Sequence, residues 1–239
     1  MKWLEREQPD VLALQETKIQ NDEFPADAFS PYGYVATFSG QSSYNGVAIL
    51  SRVPLDDIAY DLGGGYVDEQ KRVLGATVGG VRLWSLYVPN GQSVDSDKYR
   101  YKLEWLAALR ALLAAELARH PRLLVVGDFN VAPDDRDVHN PDAWRGKIMC
   151  SPAERAALAS LCELGLRDAF RLFEQPEKVF SWWDYRAGAF RRNQGLRIDL
   201  VLASGALSQT CGGCRIDKEP RGWDRPSDHV PVIAEFTSP

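Results

Sequence analysis

Residues 97–133 read DKYRYKLEWLAALRALLAAELARHPRLLVVGDFNVAP, and this one run carries a helix, a stop and a strand. Leu103, Leu106, Leu109, Leu113 and Leu117 recur at three- and four-residue spacing, which predicts an amphipathic helix from Asp97 to Arg119. Pro121 falls just past its end, where proline costs least. Leu123-Leu124-Val125-Val126 is apolar at every position, as strands enclosed between layers are. Gly127-Asp128-Phe129-Asn130 then places an acid and an amide directly at the end of that strand.

Outward from this run the same punctuation repeats. Short apolar runs lie at Val11 to Leu14, Tyr34 to Phe38, Gly46 to Leu50, Val73 to Val78, Val81 to Val88, Leu196 to Ala203 and Val230 to Phe236. Gly79-Gly80, between two of them, predicts a tight hairpin. A second helix opens at Ser151-Pro152-Ala153-Glu154, where Ser151 and Glu154 form a capping box and Pro152 takes the first helical position. Gly165 supplies its stop. No repeat or linker interrupts the chain, so we expect one domain over residues 1–239. Many strands and few helices predict an α/β (α+β) fold, two mixed β-sheets packed face to face with helices outside. Four long connections, Thr17 to Gly33, Pro54 to Arg72, Val131 to Ser151 and Phe180 to Gly195, are the places to look for function.

The chain has 239 residues, 45% hydrophobic and 26% charged, enough to build a core. Its net charge of −5 argues against a protein that coats nucleic acid by bulk positive charge, while leaving room for a local basic groove. No stretch reaches the ~18 apolar residues of a membrane span. Charges at Lys2, Glu5, Arg6 and Glu7 stand where a signal peptide needs its apolar stretch, so neither membrane insertion nor secretion is expected. Cys150, Cys162, Cys211 and Cys214 are too few and too scattered for a structural zinc site; Cys211-Gly-Gly-Cys214 reads as reduced thiols in a glycine-rich turn.

Four acids sit in or beside apolar strands: Glu16 after Val11 to Gln15, Asp128 after Leu123 to Val126, Asp199 within Leu196 to Leu202, and Asp228 with His229 before Val230. A buried carboxylate without a partner is strongly disfavoured, so each needs a cation, donors or a metal. Each alone has an ordinary structural reading: a turn, a cap, or a pair with Arg197. Together, hard oxygen donors and one imidazole are what a magnesium-dependent phosphoryl site requires.

In order along the chain stand LQETK (14–18), YNGVAILSR (44–52), WSLYVPNG (84–91), GDFN (127–130), FSWWDYR (180–186), NQGLRIDLVLAS (193–204) and SDHVPV (227–232). This set resembles bacterial exonuclease III, the exonuclease III and abasic-endonuclease branch of the endonuclease/exonuclease/phosphatase superfamily, across essentially the whole chain. The resemblance implies a four-layer α/β/β/α sandwich of the DNase I type. It implies magnesium, with manganese as a substitute, held by Glu16, Asp128, Asn130 and Asp228. It implies Tyr87, Asp128, Asn130, Asp199 and His229 as catalytic groups: Asp128 activating the attacking water, Asn130 aligning it, Asp199 fixing the His229 imidazole, and Tyr87 and His229 meeting the phosphate. Lys18, Asn90, Trp182, Arg186, Arg191, Arg192 and Leu196 are implied as DNA contacts, Leu196 lining the pocket for a base-free sugar.

Of Trp182 and Trp183, adjacent on an extended segment, one is expected inside. Tyr99, Tyr101 and Lys102 are assigned to packing, with Lys102 a further candidate for DNA contact. The implied substrate is duplex DNA with abasic sites or 3′ ends. The implied setting is a monomer in a bacterial cytoplasm, at the nucleoid during repair, without membrane association. Two other readings stay open: a phosphodiesterase or phosphatase of the same superfamily on a small or lipid substrate, and a catalytically impaired binder of abasic DNA. The last follows from a departure at the start. Family members begin with a strand bearing Trp-Asn-Val-Asn, whose first Asn helps bind metal, whereas this sequence opens at Lys2-Trp3-Leu4, within the helix that follows. Loss of an inner strand would strand two rows of backbone groups, so we expect that strand upstream of Met1; without it the metal site is one ligand short.

Overall fold

In the computed structural model, which describes residues 1–237, the strands in chain order are β1 (Val11–Gln15), β2 (Val35–Ser39), β3 (Val47–Ser51), β4 (Asp56–Ala59), β5 (Val73–Val78), β6 (Val81–Tyr87), β7 (Leu123–Asp128), β8 (Arg167–Asp168), β9 (Asp199–Ala203), β10 (Cys211–Ile216) and β11 (Val232–Phe236). The α-helices are α1 (Lys2–Glu7), α2 (Asp97–Arg119), α3 (Pro141–Trp144), α4 (Pro152–Cys162) and α5 (Gly205–Ser208). Every apolar run read from the sequence contains a strand, and α2 has the predicted bounds. The capping box of α4 forms as predicted, with Ser151 accepting from the Glu154 amide and Glu154 accepting from the Ser151 amide.

Strands β4, β8 and β10 were not anticipated. β10 corrects the reading of Cys211 to Cys214 as a turn: the segment is extended because it pairs antiparallel with β11, with a register shift between Cys211 and Gly213 absorbing the glycines. All four cysteines are free.

Six strands form the larger sheet in the order β4-β5-β6-β7-β9-β8. One face is covered by α2 and α4, where Trp105, Leu106, Leu109 and Leu113 meet Trp84, Leu86, Val125 and Leu200 together with Leu158 and Leu161. Each such buried side chain is worth about 1.5–3 kcal/mol over its exposed state, which is what docks the helices. The rim of this packing is pinned by Glu116, which accepts from Arg82 Nε at 2.6 Å and Trp84 Nε1 at 3.0 Å.

The opposite face carries the second layer, packed face to face with the first as expected. The layer is divided into β1-β3-β2 and β10-β11. β1 packs over β6 and β7, and β11 over β9. Their unpaired edges flank β7, whose Leu124 and Val126, only half-buried, pack with the apolar groups of both parts. Outside this layer α1 bridges the two parts. Its Leu4 packs with Tyr34 and Leu50, while Trp3 Nε1 donates to Asp217 at 2.9 Å and Glu7 pairs with Arg215 at 2.5 Å. The order of layers is therefore α/β/β/α. Among the described residues, no helix is long and apolar enough to cross a membrane.

Candidate active site

The register of the larger sheet sets three polar side chains in a row. Tyr87 at the end of β6 lies opposite Asp128 at the end of β7, and Asp128 lies opposite Asp199 at the start of β9. Side chains alternate along each strand. Trp84 and Leu86 therefore face α2, while Leu83, Leu124, Val126 and Val201 face the second layer, and Tyr87, Asp128 and Asp199 share that inner face. The second layer brings Glu16, which follows β1, and His229, which precedes β11. One oxygen or nitrogen from each of Glu16, Asp128 and His229 lies within 4.8 Å of the others.

Two tight backbone passages make this possible. Gly127 sits at φ +136°, where a Cβ would stand 2.0 Å from the Leu86 carbonyl oxygen; only glycine lets β7 lie this close to β6 just before Asp128. Beyond β1, Glu16 and Lys18 both have positive φ (+54° and +56°), and the amides of Thr17 and Lys18 donate to the carbonyls of Gly46 and Asn45. That turn swings Glu16 to the mouth of the site, where Lys18 Nζ meets its carboxylate at 2.6 Å. Contact with Glu16 raises the Lys18 pKa.

Asp128 is 4% exposed. Its two oxygens accept from the Asn130 amide at 2.8 Å and from Asn130 Nδ2 at 2.9 Å. Asn130 Nδ2 also donates to Val88 O, and Asn130 Oδ1 accepts from Asn90 Nδ2, both at 3.0 Å. Burial, reinforced by the charges of Asp199 and Glu16, pushes the Asp128 pKa up, with His229 opposing.

Asp199 grips His229 Nδ1 with both oxygens, at 2.9 and 3.1 Å, leaving Nε2 turned toward Asp128 at 3.9 Å. Burial would lower the pKa of His229, but Asp199, Asp128 and Asp228 outweigh it and raise it, so the ring favours the imidazolium form. Ser181, fully buried and given no role in the sequence analysis, accepts from the amides of Ile198 and Asp199 at 3.1 Å and so fixes the main chain that carries the Asp199 carboxylate. Tyr87 stays a neutral donor: burial, then the charges of Glu16 and Asp128, raise its pKa. Arg72, also missed, stacks 4.9 Å from the Tyr87 ring and donates to its carbonyl at 3.2 Å. Neither signal was available from local sequence, because both contacts join distant segments.

Not every implied residue arrives where the resemblance put it. Asp228 is outside the cluster of potential ligands; its Oδ2 accepts from Trp182 Nε1 at 3.0 Å, so it braces the tryptophan. Leu196 has no exposed surface and packs beneath Trp182, which corrects its assignment as a DNA contact. Lys102 is likewise buried and cannot reach DNA. Trp183 is the inward member of its pair and Trp182 the half-buried one. Asn90, Arg186, Arg191 and Arg192 are exposed, as is Tyr185, and Arg221 lies 5.0 Å from the Tyr185 ring. The cations thus gather on the loop from Trp182 to Arg192, beside His229, to which Trp182 is bridged.

The donor set tests well for a hard divalent cation. Glu16 and Asp128 offer anionic oxygens, and His229 and the Tyr87 phenol stand ready for a second anion. Fold and site together define a layered α/β protein with a carboxylate–histidine centre suited to phosphoester hydrolysis. The chain belongs to the endonuclease/exonuclease/phosphatase family, matched over residues 1–229, whose nuclease members are metal-dependent. It is 35% identical over 245 residues to exodeoxyribonuclease III of Haemophilus influenzae, covering 98% of this chain and 92% of that one. Among solved structures it is similar to the 3′ phosphatase NExo from Neisseria bound to product DNA hairpin (43% identity, TM-score 0.97, 99% of this chain and 92% of that chain). It is also similar to an AP endonuclease from Archaeoglobus fulgidus (38% identity, TM-score 0.94, 99% and 92%).

Proposed function

We propose that this protein is a magnesium-dependent DNA-repair phosphodiesterase. It cuts the backbone of duplex DNA on the 5′ side of abasic sites, and it removes nucleotides or blocking groups from 3′ ends. The observation that carries this reading is the row Tyr87–Asp128–Asp199 in one sheet, met from the other layer by Glu16 and His229.

Glu16 and Asp128 would hold the metal, which when bound would supply positive charge to offset the charge that develops in phosphoester hydrolysis. Asp128, whose affinity for protons is raised by burial, takes a proton from the attacking water, and Asn130 keeps its carboxylate aimed. His229, held by Asp199, donates from Nε2 to a phosphate oxygen, and Tyr87 donates its phenol proton to the same developing charge. Lys18, Asn90, Arg186, Arg191 and Arg192 hold the strand by its phosphates, while Trp182 packs against the gap left by a missing base. The chain acts as one domain and as a monomer.

Incubation of the protein with an abasic duplex and magnesium, with and without His229→Ala, tests this. We expect a nick 5′ to the abasic site and its loss in the variant. Equal rates for the two proteins, or faster hydrolysis of small phosphodiesters in direct competition, would overturn the reading; tight binding of abasic DNA without cutting would replace it with the impaired-binder alternative.

A further inference from the structure

Next to Asn130, whose carbonyl it bonds, Lys102 of α2 forms with Glu154 of α4 an ion pair in which both side chains are 0% exposed. A charge pair so placed carries a desolvation cost of several kcal/mol per ion, and it persists only where geometry and hydrogen bonds are complete. Here they are complete. The three ammonium protons of Lys102 meet three acceptors: Glu154 Oε1 at 2.5 Å, the Asn130 carbonyl at 2.7 Å and the Asn90 carbonyl at 3.1 Å. Glu154 in turn accepts from the Met149 amide at 2.9 Å, the Ser151 amide at 3.1 Å and the Ser151 hydroxyl at 2.6 Å.

Two of the Lys102 acceptors belong to residues whose side chains bond to each other, Asn90 Nδ2 donating to Asn130 Oδ1. Asn130 has φ +50°, a left-handed conformation that costs a non-glycine residue on the order of 1 kcal/mol or more unless its surroundings enforce it. Lys102 supplies that enforcement through the Asn130 carbonyl. An apolar residue could fill the same volume at lower cost, but it could not draw two separate main-chain carbonyls to one point.

We propose that Lys102, charged and paired with Glu154, is a positioning residue. It holds the Asn90 and Asn130 main chains so that the Asn130 side chain is aimed at Asp128. The inference rests on the proposed roles of Asp128 and Asn130. Being fully enclosed, Lys102 touches neither substrate nor metal; it reaches the DNA surface through Asn90 alone, one of five proposed phosphate contacts, so its influence falls mainly on the chemical step.

The experiment compares wild type, Glu154→Gln and the double variant Lys102→Met/Glu154→Gln, the last leaving no uncompensated charge inside. Steady-state nicking of an abasic duplex gives kcat and KM, and hydrogen–deuterium exchange is read on peptides covering 86–92 and 126–133. We expect kcat of the double variant to fall about 100-fold, the size of effect that a small misplacement of a reacting group produces. KM should stay within about twofold, and Glu154→Gln should fall between the two. Faster exchange is expected in those two segments and at 149–151, whose amides Glu154 also accepts, and not elsewhere. A folded double variant with wild-type kcat and exchange overturns the proposal. If the double variant does not fold, wild-type kcat and exchange in Glu154→Gln overturn it instead. Exchange is read without turnover, so a wild-type protein that fails to cut DNA would sink the proposed function while the clamp is still judged on its own.

Discussion

The six-stranded sheet and the divided layer opposite it each supply part of one site, under different constraints. Asp128 ends a strand paired on both sides and its side chain is 5% exposed, whereas Glu16 leaves an edge strand and its side chain is 33% exposed. The paired sheet can hold a carboxylate where it is poorly solvated, because β6 and β9 fix its backbone and Asn130 donates one hydrogen bond to each of its oxygens. The divided layer contributes groups at the mouth: Glu16 on a turn of left-handed residues, and His229 steadied by a carboxylate that belongs to the other sheet. On the proposed mechanism this is a division of labour, with proton transfer in the rigid sheet and the cation and phosphate met at the seam between Asp128 and the divided layer.

The largest effect should come from the paired sheet. Asp128→Ala is expected to lower kcat on abasic duplex roughly 1,000-fold or more, since the proton acceptor disappears, and added magnesium should not restore it. A folded variant retaining a tenth of wild-type activity would break the contrast. Next in size is Glu116→Gln, which leaves Arg82 of the same sheet without its anionic partner and should cost about 3 kcal/mol of stability at neutral pH. Although burial opposes it, bonding to Arg82 and Trp84 lowers the Glu116 pKa below its unfolded value. That stabilisation is therefore present above the unfolded carboxylate value and is lost as pH falls through the folded one. Thermal melts of the two proteins should converge below about pH 4, and a constant gap down to pH 3 would show that the loss is one of packing.

The divided layer should respond more gently. Glu16→Ala should raise the magnesium concentration for half-maximal rate about tenfold while a high concentration recovers much of kcat, and chelation of metal should silence the wild type. Loss of kcat at saturating metal as deep as that of Asp128→Ala would erase the distinction between the layers. The smallest effect belongs to Lys18→Ala. KM should rise severalfold, kcat should hold within about twofold, and the salt dependence of binding should lose about one unit of slope. An unchanged salt slope would remove Lys18 from the DNA surface.

Much of this could be read along the chain. Apolar runs bounded by glycine, proline or an acid were visible because burial on both faces of a layered sheet demands unbroken Val, Ile and Leu. The acids at 16, 128 and 199 announced themselves by standing where such runs permit none. Other features gave no local sign. β10 carries two glycines and is a strand only through β11; β8 is two residues long and exists only as a partner of β9. Ser181 and Arg72 look like ordinary polar residues until Asp199 and Tyr87 are brought beside them. Asp228 stands next to a site histidine in sequence yet turns to Trp182, because neighbours on an extended segment point opposite ways.

By itself, then, the order of residues determined which segments become strands and helices, which carboxylates must find a cation or a donor, and which branch of which family the chain resembles. Those properties are set by periodicity and chemistry over a few neighbouring positions. Only the tertiary structure decided that Tyr87, Asp128 and Asp199 stand in register, that the second layer is divided beside β7, that Leu196 lies beneath the surface, and that the ammonium of Lys102 turns inward to two carbonyls. These depend on strand register and on contacts between residues tens of positions apart, where a slip of one residue would reverse every side chain.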